Sequence, residues 1–263
     1  MKYLSLIIPV YRQGKTIYQD IVSVIRELST VSVPFEIIVV IDGTLDNSWK
    51  EAERVHDKRV RVVGYKTNHG KGYAVRYGMA HAKGTIIGFM DAGGDLKPNS
   101  LPLMLEQFLF QDADIVIGSK RHPDSKVIYP FFRKITSWGY QMIVKILFGV
   151  TIRDSQVGMK IYKRQVLEDV LPRLLVKEFA FDIEILAVAY HLGYRKIYEA
   201  PIELDFSDVV SSITIRKIVF ISQNMLKDTL AIFYRLYIRR YYDNANQRKW
   251  RYDPELNFRV NTG

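Results

Sequence analysis

The feature that most constrains this chain is the alternation of short apolar runs with helical patterns through its first half. Residues 3–10, 35–41, 59–65, 85–90 and 114–118 read as strands, and residues 15–29, 46–56, 71–82 and 98–110 read as helices. That alternation predicts an α/β fold with a mostly parallel sheet covered by helices on both faces. In such sheets ligands bind beyond the carboxyl ends of the strands. The polar residues that follow each strand are therefore the first candidates for chemistry.

Three stretches answer that description. Gly88-Phe89-Met90-Asp91-Ala92-Gly93-Gly94-Asp95 places two carboxylates after an apolar strand, in a loop freed by glycine. Hard divalent cations such as Mg²⁺ take one or two carboxylates together with substrate phosphates, although Asp and Gly also make ordinary strand-end turns. Val39-Val40-Ile41-Asp42-Gly43-Thr44 ends another strand in a single acid, which can accept hydrogen bonds from a ribose or base or belong to a helix cap with Asp46 or Asn47. Asn68-His69-Gly70-Lys71-Gly72-Tyr73-Ala74 sets a lysine between glycines at a helix start, a natural place for phosphate oxygens. The spacing is not that of a Walker A loop. Because each stretch follows a different strand of one sheet, all three can converge on one cleft.

With Ile8-Pro9-Val10-Tyr11, Gly118-Ser119-Lys120-Arg121, Asp154-Ser155-Gln156-Val157-Gly158 and Phe181-Asp182-Ile183-Glu184, these stretches form an ordered series over residues 3–205. The series resembles the family 2 glycosyltransferases of the GT-A fold, and among them the dolichyl-phosphate and polyprenyl-phosphate glucosyl- and mannosyltransferases. The resemblance implies inverting transfer of a hexose from a nucleotide-diphosphate sugar, UDP-glucose or GDP-mannose, with Mg²⁺ or Mn²⁺ as cofactor. Pro9, Tyr11, Gln13, Asp42, Lys71, Asp91 and Ala92 would hold the nucleotide sugar. Asp91 and Asp95 would ligate the metal. The family usually carries D-x-D in that loop, whereas Gly93 stands at the middle acid here, and Arg12-Gln13 stand where Asn-Glu is usual. Asp91, Arg121 and Asp182 would be catalytic, and Arg121, Arg133 and Ser137 would meet an acceptor phosphate. A hydroxyl acceptor would need a general base, for which Asp182 and Glu184 are candidates; an ionised phosphate needs none. An arginine common in the lipid-phosphate subfamily is missing from residues 205–212.

Residues 129–148, 179–192 and 213–240 read as further helices, and 160–163 and 195–204 as strands. The apolar pattern breaks near residues 205–212, which divides a catalytic domain at 1–210 from an amphipathic, basic extension at 211–263. At ~100° per residue, Ile215, Ile218, Val219, Met225, Leu226, Leu230, Phe233, Leu236 and Tyr237 share a face. Arg216, Lys217, Lys227, Arg235 and Arg239 gather opposite, and Tyr234, Tyr237, Tyr241, Tyr242 and Trp250 suit a headgroup layer. With a net charge of +10, that pattern predicts contact with an anionic membrane surface; packing on the catalytic domain or on a second copy is the alternative, and a homo-oligomer is left open. The apolar run from Leu4 to Val10 is too short for a signal-peptide core, and no stretch approaches the ~18 residues of a spanning helix. The expected place is the cytoplasm, peripheral on the cytosolic face of a membrane. The chain has no cysteine, which excludes thiolate chemistry and Cys-ligated zinc. Rival readings are a transferase with a polysaccharide or protein hydroxyl acceptor, a nucleotidyltransferase, and a nucleic-acid binder. The nucleotidyltransferase needs a glycine-rich basic loop where Pro9-Val10-Tyr11-Arg12-Gln13 stands. No nucleic-acid partner is expected, because the basic residues accompany an apolar stripe rather than a groove-reading motif.

Overall fold

The computed structural model describes residues 2–128, 131–150, 152–177, 180–205, 215–243, 250–254 and 258–261, with the side chains of 131–136, 215–222 and most of the last two segments outside that description. Five strands and four helices alternate through the first half: β1 (Leu4–Val10), α1 (Ile17–Leu28), β2 (Phe35–Asp42), α2 (Ser48–Glu53), β3 (Val60–Tyr65), α3 (Lys71–His81), β4 (Ile86–Met90), α4 (Leu101–Phe110) and β5 (Ile115–Ser119). There follow β6 (Lys126–Ile128), α5 (Phe131–Phe148), β7 (Met159–Lys163), α6 (Arg164–Val170), α7 (Phe181–His191), β8 (Ile197–Pro201), β9 (Glu203–Asp205) and α8 (Ile215–Phe233). A π-helical turn, Tyr234–Ile238, extends α8, and β10 (Trp250–Asp253) pairs with β11 (Phe258–Asn261). The central sheet has seven strands in the order β3-β2-β1-β4-β7-β5-β8. All neighbours are parallel except β7, which runs antiparallel between β4 and β5. The predicted strand 195–204 divides in two: β8 closes the main sheet, and β9 pairs with β6 in a small one.

The period of two places side chains on both faces. Leu6, Ile8, Ile37, Val39 and Ile41 meet α1 and α4 on one side, while Ile7, Ile38, Val40 and Phe89 meet α3 and α7 on the other. Burial on both sides explains why these strands read as unbroken apolar runs. The second face is completed from the far end of the chain. Ile232 and Leu236, with Tyr242 beyond them, lie in the same core cluster as Ile183 and Val188 of α7.

Tyr242 also donates its hydroxyl to Glu184 at 2.6 Å. Glu184 is fully buried and accepts the N–H groups of Leu175 and Val176; burial pushes its carboxyl up, countered by these bonds. It is a structural clasp, not the general base that its position beside Asp182 had allowed. The predicted single apolar face of α8 is likewise corrected. Thr229, Ile232 and Leu236 point inward, whereas Leu226, Leu230, Tyr234 and Tyr237 are exposed. Arg235, expected among the outward basic residues, lies beside Glu184 and Tyr242. Ile215, Arg216, Lys217, Ile218 and Val219, and Trp250, belong to side chains outside the described set, as does Arg133.

Where β4 meets β7 the fold fixes its most important loop. Met90 pairs with Met159, and the Asp91 N–H donates to the Gly158 carbonyl at 2.7 Å. A Cβ on Gly158 would lie 1.8 Å from Asp91 Oδ2, so the absence of a side chain at 158 makes room for that carboxylate. Gly158→Ala is expected to cost about 1–3 kcal/mol of stability through overpacking. Adding Asp91→Ala should recover part of that loss, a coupling that urea denaturation of the parent, both single variants and the double would measure.

Candidate active site

Four adjacent strands end on one cavity of about 360 Å³. Pro9, Val10, Tyr11 and Gln13 come from the end of β1, Asp42 from β2, Asn68, Gly70 and Lys71 from the loop after β3, and Asp91 and Ala92 from the end of β4. The residues expected to hold a nucleotide sugar, Pro9, Tyr11, Gln13, Asp42, Lys71, Asp91 and Ala92, are thus brought together. Tyr11 is 42% exposed at the rim, with the Arg12 guanidinium 5.3 Å from its ring centroid.

Asp42 organises this wall rather than standing open. Its carboxylate accepts from Asn68 Nδ2 at 2.8 Å, the His69 N–H at 2.7 Å and the Gly70 N–H at 3.1 Å. Three donors on one buried acid hold the 68–70 loop in place. Gly70 has φ +92°, which glycine adopts without cost. The start of α3 is less open to phosphate than its sequence implied. The Gly70 N–H is taken by Asp42, and the Gly72 N–H donates to the Lys177 carbonyl at 2.7 Å. Gly72 serves close packing, since a Cβ there would lie 2.7 Å from Phe181 Cβ. Lys71, at the start of α3, brings the ammonium among the residues that line the cavity.

Lys71 sits in a chain of alternating charges. Its ammonium donates to Asp91 Oδ2 at 2.9 Å and to Asp182 Oδ2 at 3.2 Å. Asp182 Oδ1 in turn accepts from Lys160 Nζ at 2.5 Å, and Lys160 also donates to the Val157 carbonyl at 2.6 Å. Lys160 has no exposed surface. Burial pulls its ammonium below the ordinary lysine range, against the opposing pull of Asp182. For Lys71 burial acts the same way, yet Asp182 and Asp91 together hold it above its ordinary value. Lys160 was missed in the sequence: its only signal is a lysine inside a strand whose neighbours are apolar. Asp20 was missed too. It lies on α1 and accepts the Gly93 N–H at 3.0 Å, tethering the Asp91 loop.

A second group of predicted residues collects beyond β5. Arg121 donates to Ser137 Oγ at 3.2 Å and to the Arg153 carbonyl at 2.8 Å. The 152–156 loop beside it is tied down by Gln141, which donates to the Ile152 carbonyl and accepts from Ser155, and by Glu199, which accepts the N–H groups of Arg153 and Asp154. Gln156 reaches Met225 of α8. This group thus joins α5, the 152–156 loop and α8.

Among the described residues, no set of three or more His, Cys, Asp or Glu could hold a metal on its own. Asp91 faces the cavity, with its side chain 38% exposed. Asp95 is not among the lining residues, and its carbonyl accepts the Asp205 N–H. One open carboxylate with polar neighbours still fits Mg²⁺ or Mn²⁺, because such cations complete their shell from the phosphates of a bound substrate.

The family model for glycosyl transferase family 2 matches residues 5–171. A dolichyl-phosphate beta-glucosyltransferase of Drosophila melanogaster is 33% identical over 205 residues, covering 72% of this chain and 63% of that protein. One from Dictyostelium discoideum is 31% identical over 206 residues, covering 73% and 63%. The chain therefore spans somewhat under two thirds of these relatives. An undecaprenyl-phosphate mannosyltransferase of Micrococcus luteus is 30% identical over 175 residues, covering 64% of this chain and 70% of that protein. Among solved structures, glucosyl-3-phosphoglycerate synthase from Mycobacterium tuberculosis, in complex with Mn²⁺, UDP-glucose and phosphoglyceric acid, has a TM-score of 0.68 at 16% identity. That match covers 88% of this chain and 80% of the other, and shows a shared GT-A fold. With the family match extending over most of the chain and all of the cavity walls, this protein belongs to glycosyltransferase family 2.

Proposed function

We propose that this chain transfers a hexose, glucose in the first instance, from a nucleotide-diphosphate sugar to a polyprenyl phosphate, with inversion and with a divalent cation. The observation that carries the acceptor class is the state of Asp182. Both of its oxygens are held by ammonium groups, and its side chain is 4% exposed. A carboxylate so engaged is a poor general base. A phosphate acceptor needs none, being ionised already. Its oxygen attacks the anomeric carbon, the bond from that carbon to the diphosphate oxygen breaks, and the electron pair leaves with the nucleotide; no proton moves. The names of the relatives, dolichyl-phosphate beta-glucosyltransferases, support the same acceptor and sugar.

In this reading Tyr11 and Pro9 border the nucleoside, and Asp42 keeps the Asn68–Gly70 wall rigid. Lys71 offers its charge to the diphosphate. Asp91 and the polar groups beside it would hold the cation, which would supply positive charge opposite the departing nucleotide. Arg121 and Ser137, with Arg133, receive the acceptor phosphate; Arg121 is pre-aimed by Ser137 and the Arg153 carbonyl.

The lipid chain calls for an apolar surface nearby. On α5, Trp138, Met142 and Ile146 are exposed at intervals of four; on α8, which contacts α5, Leu226 and Leu230 repeat that spacing, as does Tyr234 in the π-helical turn that extends it. Lys145, Lys227, Arg239 and Arg240 are exposed around them. The two rows support docking on an anionic membrane surface. No helix among the described residues is long and apolar enough to cross a membrane.

Three measurements test this reading. Asp91→Asn is expected to lower turnover by roughly 10²-fold or more, and EDTA should silence the parent until Mn²⁺ or Mg²⁺ is restored; activity that survives both removes the cation from the mechanism. Asp182→Asn is expected to destabilise the protein by roughly 3 kcal/mol, since Lys160 loses its anionic partner in the core. It should lower turnover without altering the shape of the pH profile of kcat/KM, and loss of an acidic limb would mark a general base and a hydroxyl acceptor. Finally, the protein should co-sediment with anionic vesicles, less so as salt rises, and Ile146→Glu with Leu230→Glu should release it. Equal binding by parent and double variant would refute the docking surface.

A further inference from the structure

The first turn of α7 holds Lys71 at two places. At the tip, Asp182 accepts from the Lys71 ammonium at 3.2 Å. At the root, the next N–H of the chain, that of Gly72, donates to the Lys177 carbonyl at 2.7 Å. Residues 174–177 belong to no helix or strand, so their N–H groups need partners outside a regular ladder. Glu184, also in the first turn of α7, takes those of Leu175 and Val176 at 3.0 and 2.8 Å. Glu184 accepts as well from the Tyr242 hydroxyl at 2.6 Å. Tyr242 is gripped in turn. Its ring has no exposed surface, its carbonyl accepts from Arg173 Nε at 2.8 Å, and the Asp243 carboxylate beside it meets His191 Nε2 at 2.7 Å. The reaction proposed above puts neither this phenol nor the Glu184 carboxylate in contact with a substrate.

We propose that Tyr242 is a positioning residue for the donor. Its hydroxyl holds Glu184, Glu184 holds residues 175 and 176, and Lys177 holds the backbone from which Lys71 reaches the diphosphate. This rests on the reading in which Lys71 meets that diphosphate. Without the hydroxyl, Glu184 Oε1 keeps the longer bond from the Leu175 N–H, at 3.1 Å. A buried acceptor short of a donor is costly, and the groups nearest to answer it are those of the 175–177 backbone. A shift there reaches Gly72 directly, because Phe181 packs so close that a Cβ on Gly72 would lie 2.7 Å from its own. The start of α3 has no slack in which to absorb the change.

The experiment is calorimetric titration of the purified full chain with UDP or GDP, whichever the parent binds, and with the matching monophosphate. EDTA is present, so no cation takes part. Tyr242→Phe is expected to weaken binding of the diphosphate roughly fivefold and to leave the monophosphate unchanged. In a Lys71→Ala background Tyr242→Phe should add nothing, because the group through which it acts is gone. Ile232→Val, in the same core cluster, should lower the melting temperature without moving either affinity. The parent alone supplies a check that needs no variant to fold: the diphosphate should slow hydrogen exchange at the Gly72, Leu175 and Val176 amides, and the monophosphate should not. An unchanged diphosphate affinity in Tyr242→Phe, an equal loss for both nucleotides, or an added loss in the Lys71→Ala background would show that Tyr242 serves the fold alone. So would exchange at Leu175 and Val176 that ignores the diphosphate. If Lys71→Ala binds the diphosphate as the parent does, or the parent binds neither nucleotide, the donor reading itself falls and this assignment falls with it.

Discussion

The buried ammonium of Lys160 is the constraint around which the site is arranged. A lysine with no exposed surface is tolerable only with an anion in contact, and α7 supplies Asp182 from its first turn. Asp182 is then committed, and its second oxygen fixes Lys71. Lys71 in turn fixes Asp91 at the cavity wall. Two cations and two anions alternate from core to cleft, so charge is balanced before any substrate arrives. In the proposed reaction a diphosphate would meet an ammonium already held in place, with little reorganisation as charge develops on it.

That chain depends on β7. Among the described residues it is the only antiparallel strand of the central sheet, and it brings Lys160 and Gly158 alongside the end of β4. Parallel strands on either side would direct their carboxyl ends to the same edge. A reversed strand instead begins at that edge, so its first residues, and the loop before it, face the cleft. The 152–158 loop consequently touches both regions of the site: Gly158 accommodates Asp91, while Arg153 holds Arg121.

Much of this was legible in the sequence because its physical basis is local. Strands buried on both faces read as apolar runs, and each strand-end motif carried its own polar residues, so the gathering of Pro9, Asp42, Lys71 and Asp91 followed from the parallel sheet alone. What was not legible depends on distant partners. Nothing near Glu184 announces that Tyr242 will cap it, and the alternating acids Asp182 and Glu184 look equivalent in sequence although one meets two lysines and the other meets backbone N–H groups. The glycines beside Lys71 suggested a phosphate cradle, but Gly72 is small because Phe181 leaves it no room. On α8, periodicity alone could not separate the apolar residues that meet the core from those that face outward, since both satisfy a helical repeat.

The clasp between Tyr242 and Glu184 ties the end of the described helix to the heart of the cleft by a very short route. Glu184 grips the N–H groups of Leu175 and Val176, and the next residue, Lys177, offers its carbonyl to the Gly72 N–H, one residue from Lys71. The ribbon from 175 to 177 is thus a strut between the C-terminal segment and the start of α3. A cut placed before α8 would not trim an appendage; it would remove the anchor of that strut and the cover of one sheet face. The segment that ends in Tyr242 therefore reaches the start of α3 through Glu184 and the backbone of residues 175–177.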